Sequence, residues 1–401
     1  MSTLFRRRFL SGALATTFAS TAWLGVTAGT AEAASISTWD KVASCESSGN
    51  WSIVAVVGGV TYYGGLQFDY GTWKAYGGQR YAPTANLATK AQQIVIAEKV
   101  LAVQGEGAWP SCGPKYRLGS DRSDPFPMRV DTVKGGSVFD NQRSRDGSWS
   151  GAALLDGNGQ ITQTATTALP DGTFHVTTLA NGKVYDNQRN TNGTWTGAAL
   201  LDGSGQITAV SATGLADGTM HVQTLANGKV FDNQRNPDGN WTGAALLDDN
   251  GQITAVSATG LTDGTMHVQT LANGKVYDNQ RNTNGTWTGA ALLDGSGQIT
   301  AVSATGLTDG TMHVQTLANG KVYDNQRNPD GNWTGAALLD GNGQITAVSA
   351  TGLTNGTMHV QTLANGNVYD NQRNTNGTWT GAALLDDNGQ ITNISAAAIP
   401  G

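Results

Sequence analysis

The chain has 401 residues, 54 of them glycine, 38% apolar and 13% charged, with a formal charge of −6. That length exceeds one small core, the apolar content excludes a disordered chain, and the glycines do not recur every third residue as in collagen; the acidic balance offers no basic face to nucleic acid. Abundant Gly, Asn, Asp and Thr beside few helix formers predict short strands joined by tight turns over most of the sequence.

Residues 1–33 read as an export signal. Arg6, Arg7 and Arg8 precede an apolar run over 9–26 broken by Ser, Thr and Gly, and Ala31-Glu32-Ala33 is a small-x-small cleavage pattern that would leave Ala34 first. The small and hydroxylated residues weaken the run as a membrane span of about 20 residues. The expectation is a secreted protein, extracellular or wall-associated, with no membrane contact after cleavage. Arg7-Arg8-Phe9-Leu10 also resembles a twin-arginine signal, which leaves the export route open.

Two modules follow. Residues 34–118 hold seven Lys or Arg against five Asp or Glu, whereas 119–401 hold 14 against 24. The expected bounds are 34–113 for the first module, 114–127 for a linker and 128–401 for the second. The two cysteines, Cys45 and Cys112, lie near the ends of the first module, and an even pair in an exported chain reads as a disulfide. Closing a loop of about 68 residues would contribute roughly 4 kcal/mol on the chain-entropy model. The first module contains no His and two thiols alone do not make a zinc site, so no metal site is expected there; no cofactor is expected either.

Ser37 or Thr38 is placed to cap a helix that carries Trp39, Val42, Ala43 and Glu46 on one face, and Ser48-Gly49 ends it. Glu46 then stands at a helix–loop boundary among Trp39, Trp51, Tyr62, Tyr63 and Trp73. An apolar wall penalises the charged carboxylate, and a neutral carboxylic acid can protonate a glycosidic oxygen near neutral pH; the rings offer sugars a stacking surface. Glu46 is therefore the candidate catalytic acid, with Trp51, Tyr62 and Trp73 as substrate-binding candidates. Helices are also predicted over 70–76 and 87–103, which makes the module mainly helical.

The strings WDKVASCESSGNW, YYGGLQFDYGTWKAYGG and WPSCG, taken together over residues 36–113, strongly resemble the lysozyme-like domain of the resuscitation-promoting factors of actinobacteria. The Glu46-Ser47 and Gly65-Leu66-Gln67 pairing is also similar to soluble lytic transglycosylases. The resemblance implies a lysozyme-like fold, Glu46 as the catalytic acid, Asp69 and Thr72 at the substrate site, Gln67 as a sugar-binding neighbour, and Cys45 joined to Cys112. Between Ile53 and Tyr62, where those domains usually have a short Asn-Thr-Gly-Asn-Gly turn, this chain has the longer, apolar VAVVGGVT.

In the second module DNQR recurs with its Asp at 140, 186, 232, 278, 324 and 370, always 46 residues apart. Trp149, Trp195, Trp241, Trp287, Trp333 and Trp379 keep the same step, as do His175, His221, His267, His313 and His359; Arg129 stands where the first copy would have His. A period in the forties is the length of one four-stranded propeller blade. Each unit reads as four β-prone runs between Gly and Asn turns, starting with QITAVSATGL. The last run, residues 391–399, is of that first type, and the expectation is that it completes the blade opened at Met128, giving an all-β six-bladed propeller without free ends to its ring.

The repeated His are expected to be structural or solvent-facing, and the repeated Asp and Asn to make inter-strand hydrogen bonds in preference to lining sugar pockets. Arg143, Arg189, Arg235, Arg281, Arg327 and Arg373, each near a Trp in the next hairpin, are the candidate glycan-binding residues, since a planar donor fork beside an aromatic face suits a sugar. The NGKVYDNQR-x-x-x-G-x-W core resembles tectonin-type and related bacterial propeller lectins, with Ala where many of those repeats carry a second Trp.

The expected architecture is a small mainly-α lysozyme-like domain followed by an all-β six-bladed propeller. The expected function is cleavage of the β-1,4 bond between N-acetylmuramic acid and N-acetylglucosamine in peptidoglycan, with the propeller as a glycan binder. A non-catalytic, lectin-like wall protein is the alternative. The partner is peptidoglycan or another wall glycan, and no particular partner wall hydrolase is indicated. Asp69 is the candidate second carboxylate; with none, attack by the sugar's own hydroxyl would give an anhydro product, and the sequence leaves both routes open.

Overall fold

The computed structural model describes residues 34, 36–120, 127–144, 148–190 and 194–398. The export signal, Ile399 and residues 121–126 of the expected linker lie outside the described residues. No helix among those described is long and apolar enough to cross a membrane.

The first module consists of α1 (Ile36–Ser47), β1 (Val54–Val57), β2 (Val60–Tyr63), β3 (Phe68–Asp69), α2 (Tyr70–Ala75) and α3 (Lys90–Gln104). Three expectations need correction. Ser37 and Thr38 lie inside α1 and do not cap it. The third helix starts at Lys90 and not at 87, because Thr89 and Gln92 form a reciprocal capping box there, leaving Ala85–Leu87 as a separate 3₁₀ turn. Residues 114–120 fold as two further 3₁₀ turns and are not linker, since Leu118 is fully buried in this core and the Gly119 N–H donates to Glu106 at 3.0 Å. The apolar segment 54–61 becomes a hairpin, with Gly58 and Gly59 at its tip at φ 60° and 86° and β2 paired to β3.

An aromatic stack holds this module together. Trp39 of α1 meets Trp109 edge-on at 4.9 Å, Trp109 meets Phe68 at 6.4 Å, and Phe68 meets Trp73 of α2 at 5.3 Å. Both indole N–H groups at its far side are satisfied by backbone: Trp109 donates to Leu66 O and Trp73 to Ala82 O, each at 2.9 Å. The disulfide joins Cys45 on α1 to Cys112, with Cα atoms 5.9 Å apart across 67 residues of sequence.

The second module is a six-bladed β-propeller of four-stranded antiparallel sheets. The second and third strands of a blade turn on Asn-Gly, as at Asn181-Gly182 with φ 52° and 70°, the two positive values that a tight hairpin turn demands. The first strands line the centre and pack side by side, from Ile161–Ala168 through Ile207–Gly214, Ile253–Gly260, Ile299–Gly306 and Ile345–Gly352 to Ile391–Ala398, which packs back on Ile161–Ala168. Ile391–Ala398 pairs with Met128–Lys134, from Ile391 opposite Lys134 to Ala398 opposite Met128, and so completes the first blade. Neighbouring inner strands are also tied by side chains. Ser211, Ser257, Ser303 and Ser349 accept from the N–H of Ala258, Ala304, Ala350 and Ala396 at 2.9–3.0 Å, and Asn393 accepts from Thr164 N–H across the closing seam at 3.1 Å.

The repeated His is structural. In five blades its buried Nδ1 lies 2.9 Å from the Asp of the DNQR run, two strands joined by one polar pair. In the first blade Arg129 takes that place and pairs with Asp140 at 2.6 Å. Two residues on, where later blades have Gln or Thr, this blade has Asp131, fully buried and accepting from Thr166 Oγ1 at 2.8 Å. Burial, then the neighbouring Asp140, pushes the Asp131 carboxyl well above the usual carboxylate range, against the smaller opposing effects of Thr166 and Arg129.

A raised carboxyl pKa in the native state means that the native protein binds the extra proton first, so this group's contribution to stability is present below its unfolded value and is lost as pH rises through the folded value. Asp131→Asn keeps the acceptor for Thr166 without the charge. It should raise the thermal midpoint at pH 7 and lose that advantage as pH falls towards about 4; melts followed by circular dichroism across this range check it, and an advantage independent of pH would contradict the assignment.

Candidate functional site

Glu46 sits on the last turn of α1, half-buried, immediately after the disulfide-bonded Cys45. The helix stops there because Ser48 and Gly49 take left-handed backbone conformations (φ 57° and 77°), and the Gly49 N–H closes back on Ala43 O at 3.0 Å. Trp39, Val42 and Ala43 of the same helix are fully buried, so the helix is held by its apolar face while its end projects Glu46 from the core.

The other expected residues divide into two groups. Tyr62 and Asp69 are directly opposite each other on β2 and β3 and share one face of the small sheet, both half-buried, while their neighbours Tyr63 and Phe68 form the adjacent pair on the other face. Asp69 caps α2: its Oδ1 accepts from Thr72 N–H at 2.9 Å and its Oδ2 from the Thr72 hydroxyl at 2.6 Å. Gln67, at φ 54°, donates to Gly64 O at 3.0 Å. Trp51 is half-buried, with the Lys90 ammonium 5.8 Å from its ring centroid. Trp73 is a correction: it is fully buried in the aromatic stack with its N–H bonded to Ala82 O, so it offers no face for a sugar and acts as a core residue.

Sequence reasoning passed over Gln93. It is fully buried on α3; its Oε1 accepts from Gly65 N–H at 2.9 Å and its Nε2 donates to Trp51 O and Ala88 O at 2.8 and 3.0 Å. A Cβ on Gly64 would lie 2.2 Å from the Gln93 amide, and one on Gly65 would lie 2.6 Å from the Trp51 ring. The Gly-Gly pair is therefore the space through which α3 sets the loop carrying Gln67. A buried Gln in an otherwise ordinary helix gives no signal in a single sequence.

In the propeller each Arg stands opposite the Trp of the following strand, as Arg235 opposite Trp241 and Arg281 opposite Trp287. The guanidinium reaches across to the preceding blade: Arg143 donates to Gln372 at 3.1 Å and Arg235 to Gln188 at 3.4 Å. An Asp in the turn between the first and second strands of one blade lies near the Arg of the next blade. For Asp217, burial alone would raise the carboxyl, but the Thr219 side-chain and backbone hydrogen bonds outweigh it and, with nearby His221 and Arg281, hold it below the ordinary range. Asp263 behaves likewise with Thr265, His267 and Arg327, and Asp309 with Thr311, His313 and Arg373. The clefts between blades thus bring together guanidinium, amide and carboxylate groups near a Trp that is half-buried at 149, 241, 287 and 379 and exposed at 195 and 333, a set of donors and acceptors beside an aromatic surface. Sequence reasoning found the Arg and Trp but not these Asp, which precede a Gly like many ordinary turn residues.

Residues 33–112 match the model of the transglycosylase-like domain. The same region is similar to resuscitation-promoting factors: 56% identical over 112 residues to RpfA of Mycobacterium tuberculosis, covering 26% of this chain and 27% of that protein, and 50% identical over 106 residues to one of Corynebacterium glutamicum, covering 26% and 53%. The chain thus spans between about a quarter and a half of these relatives. The propeller is similar in fold to the fucose-specific lectin of Aleuria aurantia, at TM-score 0.51 and 16% identity over 64% of this chain and 91% of that one, and to a variant of that lectin in complex with α-methyl-L-fucoside, at TM-score 0.52 and 16% identity over 66% and 92%.

The cap geometry makes Asp69 a structural residue whatever else it does. Asp69→Ala should destabilise the protein by about 1 kcal/mol, as expected for a lost N-cap. Thr72→Val, which keeps the backbone N–H, should cost less, and the double variant should cost less than the two singles together because they share one interaction. Urea denaturation of the three variants measures this; strict additivity would show that the pair is not coupled.

Proposed function

We propose that the protein is an exported glycosidase that cleaves the β-1,4 bond between N-acetylmuramic acid and N-acetylglucosamine in peptidoglycan, and that its propeller holds it on glycan. The observation that carries this reading is the transglycosylase-like match over residues 33–112, within which Glu46 occupies a half-buried helix end beside a disulfide. Glu46 as a carboxylic acid donates its proton to the glycosidic oxygen as the bond to the muramic carbon breaks, and as a carboxylate it then takes a proton from the attacking hydroxyl. If that hydroxyl belongs to water the product is a reducing sugar; if it belongs to the substrate's own C6 the product is the anhydro sugar. Tyr62, Gln67, Asp69 and Thr72 line the sugar path, and Trp51 offers a stacking edge. On this reading the leader is cleaved after Ala33 during export, and the mature protein acts outside the cell or on its wall.

The Arg-bearing clefts between blades are the proposed glycan sites. The fold similarity to a fucose-specific lectin makes fucose the first sugar to test, along with N-acetylglucosamine. A non-catalytic wall lectin remains the competing reading, and the same experiment separates them.

Purified protein should release soluble muropeptides from isolated walls, with mass spectrometry distinguishing anhydro from reducing ends. Glu46→Gln should lower release by at least about 100-fold, the ordinary scale of a general acid, with an unchanged circular dichroism spectrum; wild-type rates in that variant would remove Glu46 from the chemistry.

The propeller reading is checked with the Glu46→Gln protein, which stays with an undigested wall. It should sediment with walls, and Ala at Arg143, Arg189, Arg235, Arg281, Arg327 and Arg373 should release it without loss of β-sheet signal. Sedimentation untouched by those six changes would leave the clefts without a role.

A further inference from the structure

Ala34 is fully buried in the core of the first module, and its backbone nitrogen donates to Glu98 Oε1 on α3 at 2.9 Å. The Trp39 indole N–H of α1 donates to the same oxygen. Glu98 is half-buried, so its carboxylate lies between two donors at the point where the chain enters α1. A buried Ala whose nitrogen is aimed at a carboxylate is an unusual start for a helix, because the first residues of a domain are poorly ordered unless something ties them down.

That nitrogen follows the Ala31-Glu32-Ala33 pattern. In the uncut chain it is an amide nitrogen with one N–H and no charge. Hydrolysis of the 33–34 bond adds one water: Ala33 leaves with the leader as a carboxylate, and Ala34 keeps the nitrogen as an ammonium with three donors. The same atom, in the same place, then faces Glu98 as an opposite charge, and a charge-assisted hydrogen bond of this kind is about twice as strong as a neutral one.

We propose that export cleavage creates an ion pair between the α-ammonium of Ala34 and the Glu98 carboxylate, and that this pair latches α1, the helix bearing Glu46, onto α3. This inference rests on the reading of residues 1–33 as an export signal. The latch acts with the Asp40–Lys90 ion pair, 2.9 Å, which joins the same two helices at the surface. The partly desolvated setting of Glu98 makes its pair less sensitive to salt than the exposed one. The domain is thereby tightened only after its leader is gone.

Two measurements test this separately from the export reading. N-terminal sequencing of the secreted protein should give Ala34 first; another start would overturn both the cleavage site and the latch. The mature chain beginning at Ala34 is then compared as the free amine and as the N-α-acetylated form, which retains one N–H donor and removes the charge, as in the uncut chain. Hydrogen exchange of the peptide covering α1 should be several-fold slower in the free-amine protein, and Glu98→Gln should abolish that difference. Should Glu98→Gln fail to fold, the acetylation comparison alone decides. Equal exchange in the free and acetylated chains, or a difference that persists in Glu98→Gln, overturns the latch while leaving the cleavage site intact.

Discussion

The propeller depends on one non-covalent seam, the pairing of Ile391–Ala398 with Met128–Lys134. A ring of sheets has no covalent closure, so the blade shared by the two ends of the repeat must be assembled from residues about 260 positions apart in sequence. Such a long-range contact carries a large ordering entropy, and the sequence concentrates compensating bonds there: the full ladder, the Asn393 bond to Thr164, and the buried Arg129–Asp140 pair on the strand that receives the closing one. Once the seam forms, each inner strand is flanked by those of the adjacent blades, which share side-chain bonds with it, and the outer strands present the edges away from the centre. Those edges are interrupted in the same way, as at Trp195, Trp241, Trp287, Trp333 and Trp379, where the register slips before the following Ala pair around a Gly with positive φ. A bulge twists an exposed edge away from regular pairing, which limits edge-to-edge association.

The first blade departs from the others in a chemically coherent manner. His paired with Asp becomes Arg129 paired with Asp140, and the adjacent Gln becomes Asp131. Arg129 is compensated by Asp140, and Asp131, whose carboxyl is pushed upward by burial and by Asp140, is held by Thr166. Removing Arg129 or Asp140 alone would leave the other without its partner in a low-dielectric site, a cost of several kcal/mol, whereas the Asp131 charge is a burden that its hydrogen bond only partly offsets. Both departures fall on the blade that has to be assembled from both ends.

The repeat was the most legible part of the sequence, because six copies state the strand pattern six times and the integer fit of the copies states the closure. Legibility fell wherever a side chain acts at a distance. Glu46 at a helix end followed from apolar spacing and the Ser48-Gly49 break, and the cysteine pair from export and even count. Trp73 was misread because aromatic density near an acid looks the same whether a ring stacks on substrate or fills the core; only the bond to Ala82 O separates the two. The start of α3 was missed because the Leu87 side of the apolar run continued past the Thr89 capping box. Leu118 was placed in a linker because one apolar residue among Gly, Ser and Arg has no period to reveal it.

The electrostatics of the propeller argue for what kind of ligand it can hold. Its residues carry an excess of nine negative charges, which repels an anionic polymer at long range, yet the clefts between blades are closer to neutral because Asp217, Asp263 and Asp309 sit within the influence of Arg281, Arg327 and Arg373. A neutral cleft with paired donors and acceptors suits an uncharged sugar hydroxyl pattern better than a phosphate or a carboxylate. The clefts are also unequal: in the 46-residue register, Asn355 stands where four other copies carry Asp171, Asp217, Asp263 and Asp309. On the proposed function, retention on a wall would come from several weak, non-identical contacts made at once, where a second contact on the same body is favoured by a millimolar effective concentration and needs no single tight site. Such an arrangement would let a wall-bound protein shift as contacts break one at a time, which a single high-affinity pocket would prevent.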